Sequence, residues 1–424
     1  MTYQETLAYI YGLARFGLRP GLARISATLD ALGNPHNSIK IVHVAGTNGK
    51  GSTAAFLSSL AVAGGYRVGL FTSPHLIRFT ERLRINGEEI GEEAVVRLAE
   101  RVIAAASPDT TFFEIVTAMA FLHFAEERVD LAVIEAGMGG RMDATNSAFG
   151  MLSVITPISL DHCQYLGETI ADITREKAGI IKVGRPVVVS TQDVEALSII
   201  TRHCSDLKCP IYLSGIDFVS SWEAEGLAYR GIKACLAGLS PGIPGRYQQV
   251  NAATALCSAE LLNSFGFVLS DKALRTGIDS AHWPGRMETL GKAPRFLLDG
   301  AHNAAGASAL AESLADVPHG RLFLVMGVMG DKDAEGMLDP LLPLAETVFA
   351  VSPAMERALP SSDLAALCRQ RGAAAVDAGS VADGLIRSGT MADASDLVVV
   401  TGSLFTVGEA RASLLEQRFE PCRG

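Results

Sequence analysis

No CxxC pair occurs in this chain, and its seven cysteines (Cys163, Cys204, Cys209, Cys235, Cys257, Cys368 and Cys422) are odd in number and scattered. That leaves no framework for structural zinc and reads as reduced thiols, not disulfides. No apolar run is long enough and free enough of charge to span a membrane. The first residues carry Glu5 in a mixed amphipathic pattern where a secretory signal would place a basic stretch and then an apolar one, so the expected compartment is the cytoplasm. Positive charge is also in short supply, with 36 Lys and Arg against 46 Asp and Glu, a formal net charge of −10. This argues against broad binding to nucleic acid or anionic membrane, although a local cluster can still receive a small anion. Short repeats and low-complexity tracts are absent.

What is present is a globular composition, 48% hydrophobic and 19% charged over 424 residues, enough for two or three domains with real cores. The organising stretch is Gly46-Thr47-Asn48-Gly49-Lys50-Gly51-Ser52-Thr53. The apolar run Ile41–Ala45 before it predicts a buried strand. Ala54, Ala55, Leu57, Leu60 and Ala61 after it recur at helical spacing up to Gly64-Gly65. Strand, Gly-rich turn and helix is the layout of a phosphate cradle. Glycines let backbone N–H groups approach the phosphates, and the helix N-terminus adds partial positive charge. Lys50 can meet the outer phosphates, and Ser52 or Thr53 can ligate Mg²⁺. The spacing departs from the usual P-loop, which wants Gly where Val44 stands and Ser or Thr where Gly51 stands.

Along the chain, two short N-terminal helices are expected around Gly17–Pro20, with Leu22, Ile25, Leu29 and Leu32 as a core stripe. Strands are expected at 66–72, 130–136, 151–156 and 186–190, helices at 92–106, 114–128 and 169–179, and hairpins over 211–239. The segment 78–90 reads as too charged for the core, an ordered loop or a hairpin around Asn86-Gly87. Helices follow at 246–265 and 270–281. A break falls at Trp283-Pro284-Gly285-Arg286, after which strands and helices alternate again: strands at 295–298, 322–326, 347–351 and 397–400, with two helices between the last two. This alternation predicts an α/β protein: a P-loop-type, mostly parallel sheet domain over residues 1–284, and a smaller Rossmann-like α/β domain over 285–424.

Ligands of parallel sheets gather at the C-terminal strand ends. Ser73, Glu135, Asp161 and His162 fall there, and with Ser52 they offer oxygen ligands for one or two hard cations facing the phosphates. Glu135 could equally form a structural ion pair, and His162 could be an ordinary satisfied polar residue.

The runs HVAGTNGKGS, SPHL with ERLRING, EAGMGGRMDATN, DHCQYLG, REKAGIIK, PGRME and LDGAHN resemble the bifunctional bacterial folylpolyglutamate synthase/dihydrofolate synthase family of the Mur ligase superfamily. They occur in family order from about Gly17 to Ser403, and Gly51 stands where the family also has Gly. The resemblance implies Mur ligase architecture, ATP at Gly49, Lys50, Gly51 and Ser52, and nucleotide contacts from Asn251, Arg286 and Asp299. It implies two Mg²⁺ ions on Ser73, Glu135, His162 and Lys177, with Lys177 carrying a CO₂-derived carbamate and a monovalent cation as a further occupant. Lys50, Glu135, His162 and Lys177 become the catalytic set. A pterin site falls on Thr111, Phe112, Phe113 and Glu114 with Met142 and Asp143. His302 and Ser403 fall on the amino-acid side. Residue by residue, Phe112 and Phe113 also suit the apolar first turn of a helix, and Lys177 in Arg175-Glu176-Lys177 also suits a solvated helix end.

The activity implied is ATP-dependent ligation of L-glutamate to dihydropteroate, to reduced folates, or to both, by a monomer. A carboxylate must be activated before an amine can attack it, and γ-phosphoryl transfer to give an acyl phosphate does so. Two other readings bear on the same residues. A peptidoglycan Mur ligase would carry a longer N-terminal UDP-binding domain than the roughly 40 residues before the first strand. A nucleotide switch without ligase activity would have no use for Glu135, His162, Lys177 and Asp299 together.

Overall fold

The computed structural model describes residues 1–13, 17 and 19–421, so Cys422 and part of the segment read as a helix pair around Gly17–Pro20 lie outside the described residues. The first sheet contains β1 (Ile41–Ala45), β2 (Val68–Phe71), β3 (Leu83–Ile85), β4 (Glu88–Glu89), β5 (Leu131–Glu135), β6 (Leu152–Ile155), β7 (Val187–Val189) and β8 (Ile211–Leu213), in the order β4-β3-β2-β5-β1-β6-β7-β8. Six strands run parallel, and β3 and β4 close one edge antiparallel. Alternate residues of a strand go to opposite faces. Val42, Val44, Leu131 and Val133 therefore join one core with residues of the helices Lys50–Ala63 and Gln248–Leu262. Ile41, Ala132 and Ile134 join the other with residues of the helices Glu92–Ala105 and Phe112–Glu126, and with Ile25 and Leu29 from the N-terminal stripe. Both faces are covered, which is why β1 reads as a continuous apolar run. The chain leaves β1 toward β2 on one side and later returns to place β6 on the other. The crevice beyond the C-terminal end of β1 is thus the switch point of the sheet, where such folds bind ligands.

A three-stranded antiparallel meander follows, β9 (Val219–Glu223), β10 (Gly226–Arg230) and β11 (Cys235–Leu239). It is tied to the helix Gln248–Leu262 by Glu260, which accepts from the Tyr229 hydroxyl at 2.6 Å and from the N–H groups of Lys233 and Ala234 at 2.7 Å. The second sheet holds β12 (Glu288–Leu290), β13 (Arg295–Leu298), β14 (Leu322–Met326), β15 (Thr347–Ser352), β16 (Ala375–Ser380) and β17 (Leu397–Thr401), in the order β12-β13-β17-β14-β15-β16. All but β12 run parallel. The fold is the mixed α/β arrangement of two sheets expected from the sequence.

Four local expectations are corrected. Residues 211–213 are not a hairpin strand but the parallel edge strand β8, because the helix Val194–Asp206, unread in the sequence, supplies the crossover from β7. The two helices expected between β15 and β17 are separated by β16, whose Asp377, Gly379 and Ser380 masked its strand character. The short strand β12 was also unread; it pairs antiparallel with β13. Residues 78–90 do form the β3–β4 hairpin, yet Phe79, Arg82 and Leu83 are buried. Burial of Arg82 is tolerated because its Nε donates to His75 Nδ1 at 2.9 Å and its guanidinium lies 5.2 Å from the Phe112 ring centre.

Candidate active site

The cradle closes tightly on its own backbone. Thr47 and Asn48 donate to Pro157 O at 2.9 and 3.1 Å, which pins the turn against the segment leaving β6. Gly49 has φ +81° and opens the helix Lys50–Ala63; a Cβ there would collide with the Asn251 amide, so both backbone and space require glycine. Asn251 and Gln248, one helical turn apart, face the cradle. Gln248 Nε2 donates to Ser52 Oγ at 3.3 Å and Asn251 Nδ2 donates to Gln248 Oε1 at 2.8 Å. Lys50 folds back to donate to Thr47 O at 3.1 Å.

Around Lys50 the structure gathers three residues singled out from the sequence. Burial raises the carboxyl pKa of Glu135, opposed by the charge of Lys50 and by the Ser73 N–H, which donates to it at 3.2 Å. Burial lowers the His162 imidazole to about 4, with Asp161 pulling the other way and Lys332, Lys50 and Lys177 adding to the drop. Burial lowers the Lys177 amine to about 7, helped by Lys50. Lys177 is only 4% exposed and donates to Gly46 O at 2.7 Å. It is therefore not the solvated helix-end lysine that its sequence context also allowed. Among the described residues, no three His, Cys, Asp or Glu side chains gather closely enough to hold a metal by themselves. The four-member set read from the sequence draws half its members from other types, Ser73 and Lys177. Two features bear on its donor chemistry: His162 is held below its usual range, leaving a neutral imidazole near pH 7, and the Lys177 amine is lowered to about 7, so part of it is unprotonated near neutral pH.

The second sheet brings residues to the same crevice. Asp299 follows β13 and is fixed on both oxygens, by Tyr247 Oη at 2.5 Å, Met287 N at 3.0 Å and Ala301 N at 3.0 Å. Arg286 lies against Gly300 and carries its positive charge to Glu135. Asn303 caps the helix Ala304–Leu314 and exchanges amide hydrogen bonds with Asn48 at 2.9 and 3.3 Å. Lys332 is ion-paired with Asp161. His302 accompanies it, with Nε2 3.6 Å from the same carboxylate. Burial disfavours a charge on Asp161, but His302, His162 and Lys332 together hold its carboxyl well below the usual carboxylate range. Ser403 is the N-cap of the helix Leu404–Leu414, accepting from Thr406 N at 3.0 Å, and is 1% exposed.

The residues assigned to the pterin adjoin the turn that leaves β5: Phe113 lies over Gly137, and the Asp143 carboxylate accepts from Met138 N and acts on both Glu135 and Lys177. Thr111 and Glu114 form a capping box for the helix Phe112–Glu126, and Arg24 Nε donates to Glu114 at 3.1 Å. Glu114 Oε1 is buried with no hydrogen-bond partner. Phe112 is in the core, stacked on Tyr11 at 5.5 Å, whereas Phe113 lies over Gly137. Met142 is 43% exposed. Asp143 is 6% exposed and held by Met138 N at 2.8 Å, Thr145 N at 3.0 Å and Thr145 Oγ1. Burial raises its carboxyl pKa against those bonds.

Sequence reading did not single out Lys332, Asn48, Asn303 or Gln248 as site residues, and it left Asp161 outside the catalytic set. Lys332 sits in the loop Gly327–Asp333 leaving β14, and a glycine-bounded loop with a lysine at a strand's C-terminal end was a signal that could have been used. Asn303 has the helix-cap pattern, but its partner Asn48 is 255 residues away.

A Gly-rich cradle at a sheet switch point, faced by an Arg, Asp and Lys from a second parallel sheet, defines the class: a ligase of the Mur type. The Mur ligase middle domain matches residues 44–259, and the Mur ligase glutamate ligase domain matches residues 285–404. The chain is 36% identical to the dihydrofolate synthase/folylpolyglutamate synthase of Bacillus subtilis, over 97% of this chain and 99% of that one. It also covers 51% of a longer Halobacterium salinarum protein described as a probable bifunctional folylpolyglutamate synthase/dihydropteroate synthase, at 37% identity over 97% of this chain. The crystal structure of Mycobacterium tuberculosis folylpolyglutamate synthase with ADP and AMPPCP superposes with TM-score 0.89 at 33% identity, covering 99% of this chain and 100% of that one. E. coli FolC with DHPP and ADP gives 0.89 at 32% identity, covering 97% and 98%. A Yersinia pestis bifunctional enzyme with AMPPNP and Mn ion gives 0.89 at 32%, covering 98% of each chain. The chain belongs to the folylpolyglutamate synthase/dihydrofolate synthase family.

Proposed function

We propose that the protein ligates L-glutamate to dihydropteroate, giving dihydrofolate, to the γ-carboxyl of reduced folates, giving polyglutamates, or to both, with ATP as the driving substrate. The observation that carries this reading is the placement of Glu135, His162 and Lys177 around Lys50, inside a cradle that a second domain overhangs. The acceptor carboxylate attacks the γ-phosphorus of ATP, ADP leaves, and an acyl phosphate forms. The neutral amine of glutamate then attacks the acyl carbon, and phosphate departs as the tetrahedral intermediate collapses, with the amine proton lost. Lys50 follows the charge on the transferred phosphoryl, while Arg286 and Asn251 orient the nucleotide beside Asp299. Ser73, Glu135, His162 and Lys177 would hold two Mg²⁺ ions, which supply neutralisation of phosphoryl charge when bound. Lys177 would enter that set as its carbamate, with a monovalent cation as a further occupant.

Thr111, Phe113, Glu114 and Asp143, with Phe112 behind and Met142 at the rim, form the pterin side; His302 and Ser403 lie toward glutamate. Residues 1–284 carry the cradle and the pterin side, and residues 285–424 carry the closing domain. Closure keeps water from the acyl phosphate. The same reading makes the protein a cytoplasmic monomer acting on small molecules; among the described residues, no helix is long and apolar enough to cross a membrane.

The test is ADP release with glutamate plus dihydropteroate, glutamate plus tetrahydrofolate, and neither. Turnover dependent on at least one acceptor is expected, and acceptor-independent hydrolysis alone would remove the reading. In Lys50→Ala turnover should fall by about 10²-fold or more at saturating ATP.

A further inference from the structure

Glu420, six residues past the helix Leu404–Leu414, does not remain with its own sheet. Its N–H donates to Ile77 O at 2.9 Å. Its carbonyl oxygen accepts from His75 Nε2 at 3.0 Å. Because Arg82 Nε donates to His75 Nδ1 at 2.9 Å, the proton of the neutral ring lies on Nε2, and the two bonds agree on one tautomer. Its carboxylate accepts from Phe79 N at 2.9 Å and from Tyr3 Oη at 3.1 Å. One residue thus joins the N-terminal helix Tyr3–Gly12, the 75–79 turn and the chain leaving the second domain.

The turn it grips lies between the two sheets. Leu76 and Ile77 follow β2 of the first sheet, yet they pack in the core of the second, with Leu298, Phe323, Val351 and Val407; Phe419 packs against the same core. Gly408 lies directly under Leu76 O, where a Cβ would collide. Glu81 fixes the turn from its other side, accepting from the N–H groups of Leu76, Ile77 and Arg78 at 2.8–2.9 Å. Two residues before Leu76 is Pro74, and before that Ser73, whose N–H is held by Glu135. Only Pro74 separates Ser73 from the 75–79 turn, so the position of the turn bears directly on Ser73.

We propose that Glu420 is a positioning residue for the ligase reaction: it latches the 75–79 turn to the chain of the second domain and so sets the Ser73–Glu135 pair under the docked domain. The inference rests on the proposed function only for its activity arm. Its structural arm is hydrogen exchange of the Ile77 and Phe79 amides, with and without a non-hydrolysable ATP analogue, in wild type, Glu420→Ala and Glu420→Gln.

Glu420→Ala should accelerate exchange at Phe79 and lower kcat by about tenfold or more, with KM for ATP within about twofold, because misplacement of reacting groups costs rate more than nucleotide affinity. Glu420→Gln, whose amide oxygen still accepts from Phe79 N and Tyr3 Oη, should restore most of kcat. Leu236→Ala, a buried meander residue remote from the turn, serves as the control for stability loss alone and should leave kcat unchanged at temperatures where it is folded. Wild-type kcat in folded Glu420→Ala overturns the latch, as does unchanged exchange at Phe79. Absence of ligase turnover in the wild type rejects the function, and the exchange result then decides the latch on its own.

Discussion

Lys177 shows how one residue's sequence context and its surroundings can point in opposite directions. An Arg-Glu-Lys stretch near a helix end is usually solvated, but this amine is buried and donates to the backbone of the cradle. Burial and Lys50 lower its pKa from 10.5 to about 7, so between pH 7 and 10.5 the unfolded chain binds the extra proton. Stability therefore rises with pH through that window, and the contribution is lost as pH falls toward 7. In CO₂-free buffer, the stability of wild type relative to Lys177→Gln should increase from pH 7 to pH 9, measured by chemical denaturation. A flat difference would show that the amine is not depressed. With ¹³C-bicarbonate added, a carbamate resonance should be present in wild type and absent in Lys177→Gln, and ligase activity should fall in the variant.

At the scale of elements, several residues proposed for the site also hold the ends of helices and turns. Thr111 caps the helix Phe112–Glu126, and Thr111→Ala should cost about 1 kcal/mol of stability, read from the unfolding midpoint. Asp143 caps the turn at 144–147 and also braces the Gly-rich turn through Met138 N. The two roles separate by measurement. Thr145→Val removes the hydroxyl bonds to Asp143 and to the buried His43 Nε2 and should lower stability by about 1–3 kcal/mol with little change in KM for dihydropteroate. Asp143→Ala should lower stability further and raise that KM, and an unchanged KM would assign Asp143 to structure alone. The strand β16 and the helix Val194–Asp206 escaped sequence reading for opposite reasons. The first is edge strand with turn-forming residues, and the second lies in a stretch where neither neighbour marked a crossover.

At the scale of the molecule, the two sheets meet across the crevice through polar contacts: Asp161 with Lys332 and His302, and Asn48 with Asn303. Both members of the Asp161–Lys332 pair are largely buried, with side-chain exposures of 6% and 10%. Lys332→Ala leaves the buried Asp161 carboxylate to His302, Asn303 and the His162 N–H, so it should destabilise by about 2–3 kcal/mol, whereas Asp161→Asn with Lys332→Met should recover part of that loss. Calorimetry on the single and double variants gives the coupling, and an additive cycle would exclude the pair as an interdomain tie.

The sequence by itself determined the cradle, the parallel α/β plan and the order of the motifs. Those rest on local signals: an apolar β-branched run, glycines where the backbone must turn, and helical spacing after them. It also put Glu135 at a strand end and Ser73 and His162 in the segments leaving strands, because strand ends can be read from patterning. Only the tertiary structure decided that Lys177 is buried, that Arg82 lies in the core, and that Lys332 answers Asp161 across 171 residues. Burial and long-range charge pairing depend on which segments the sheets bring together, and no local pattern in the chain encodes that distance.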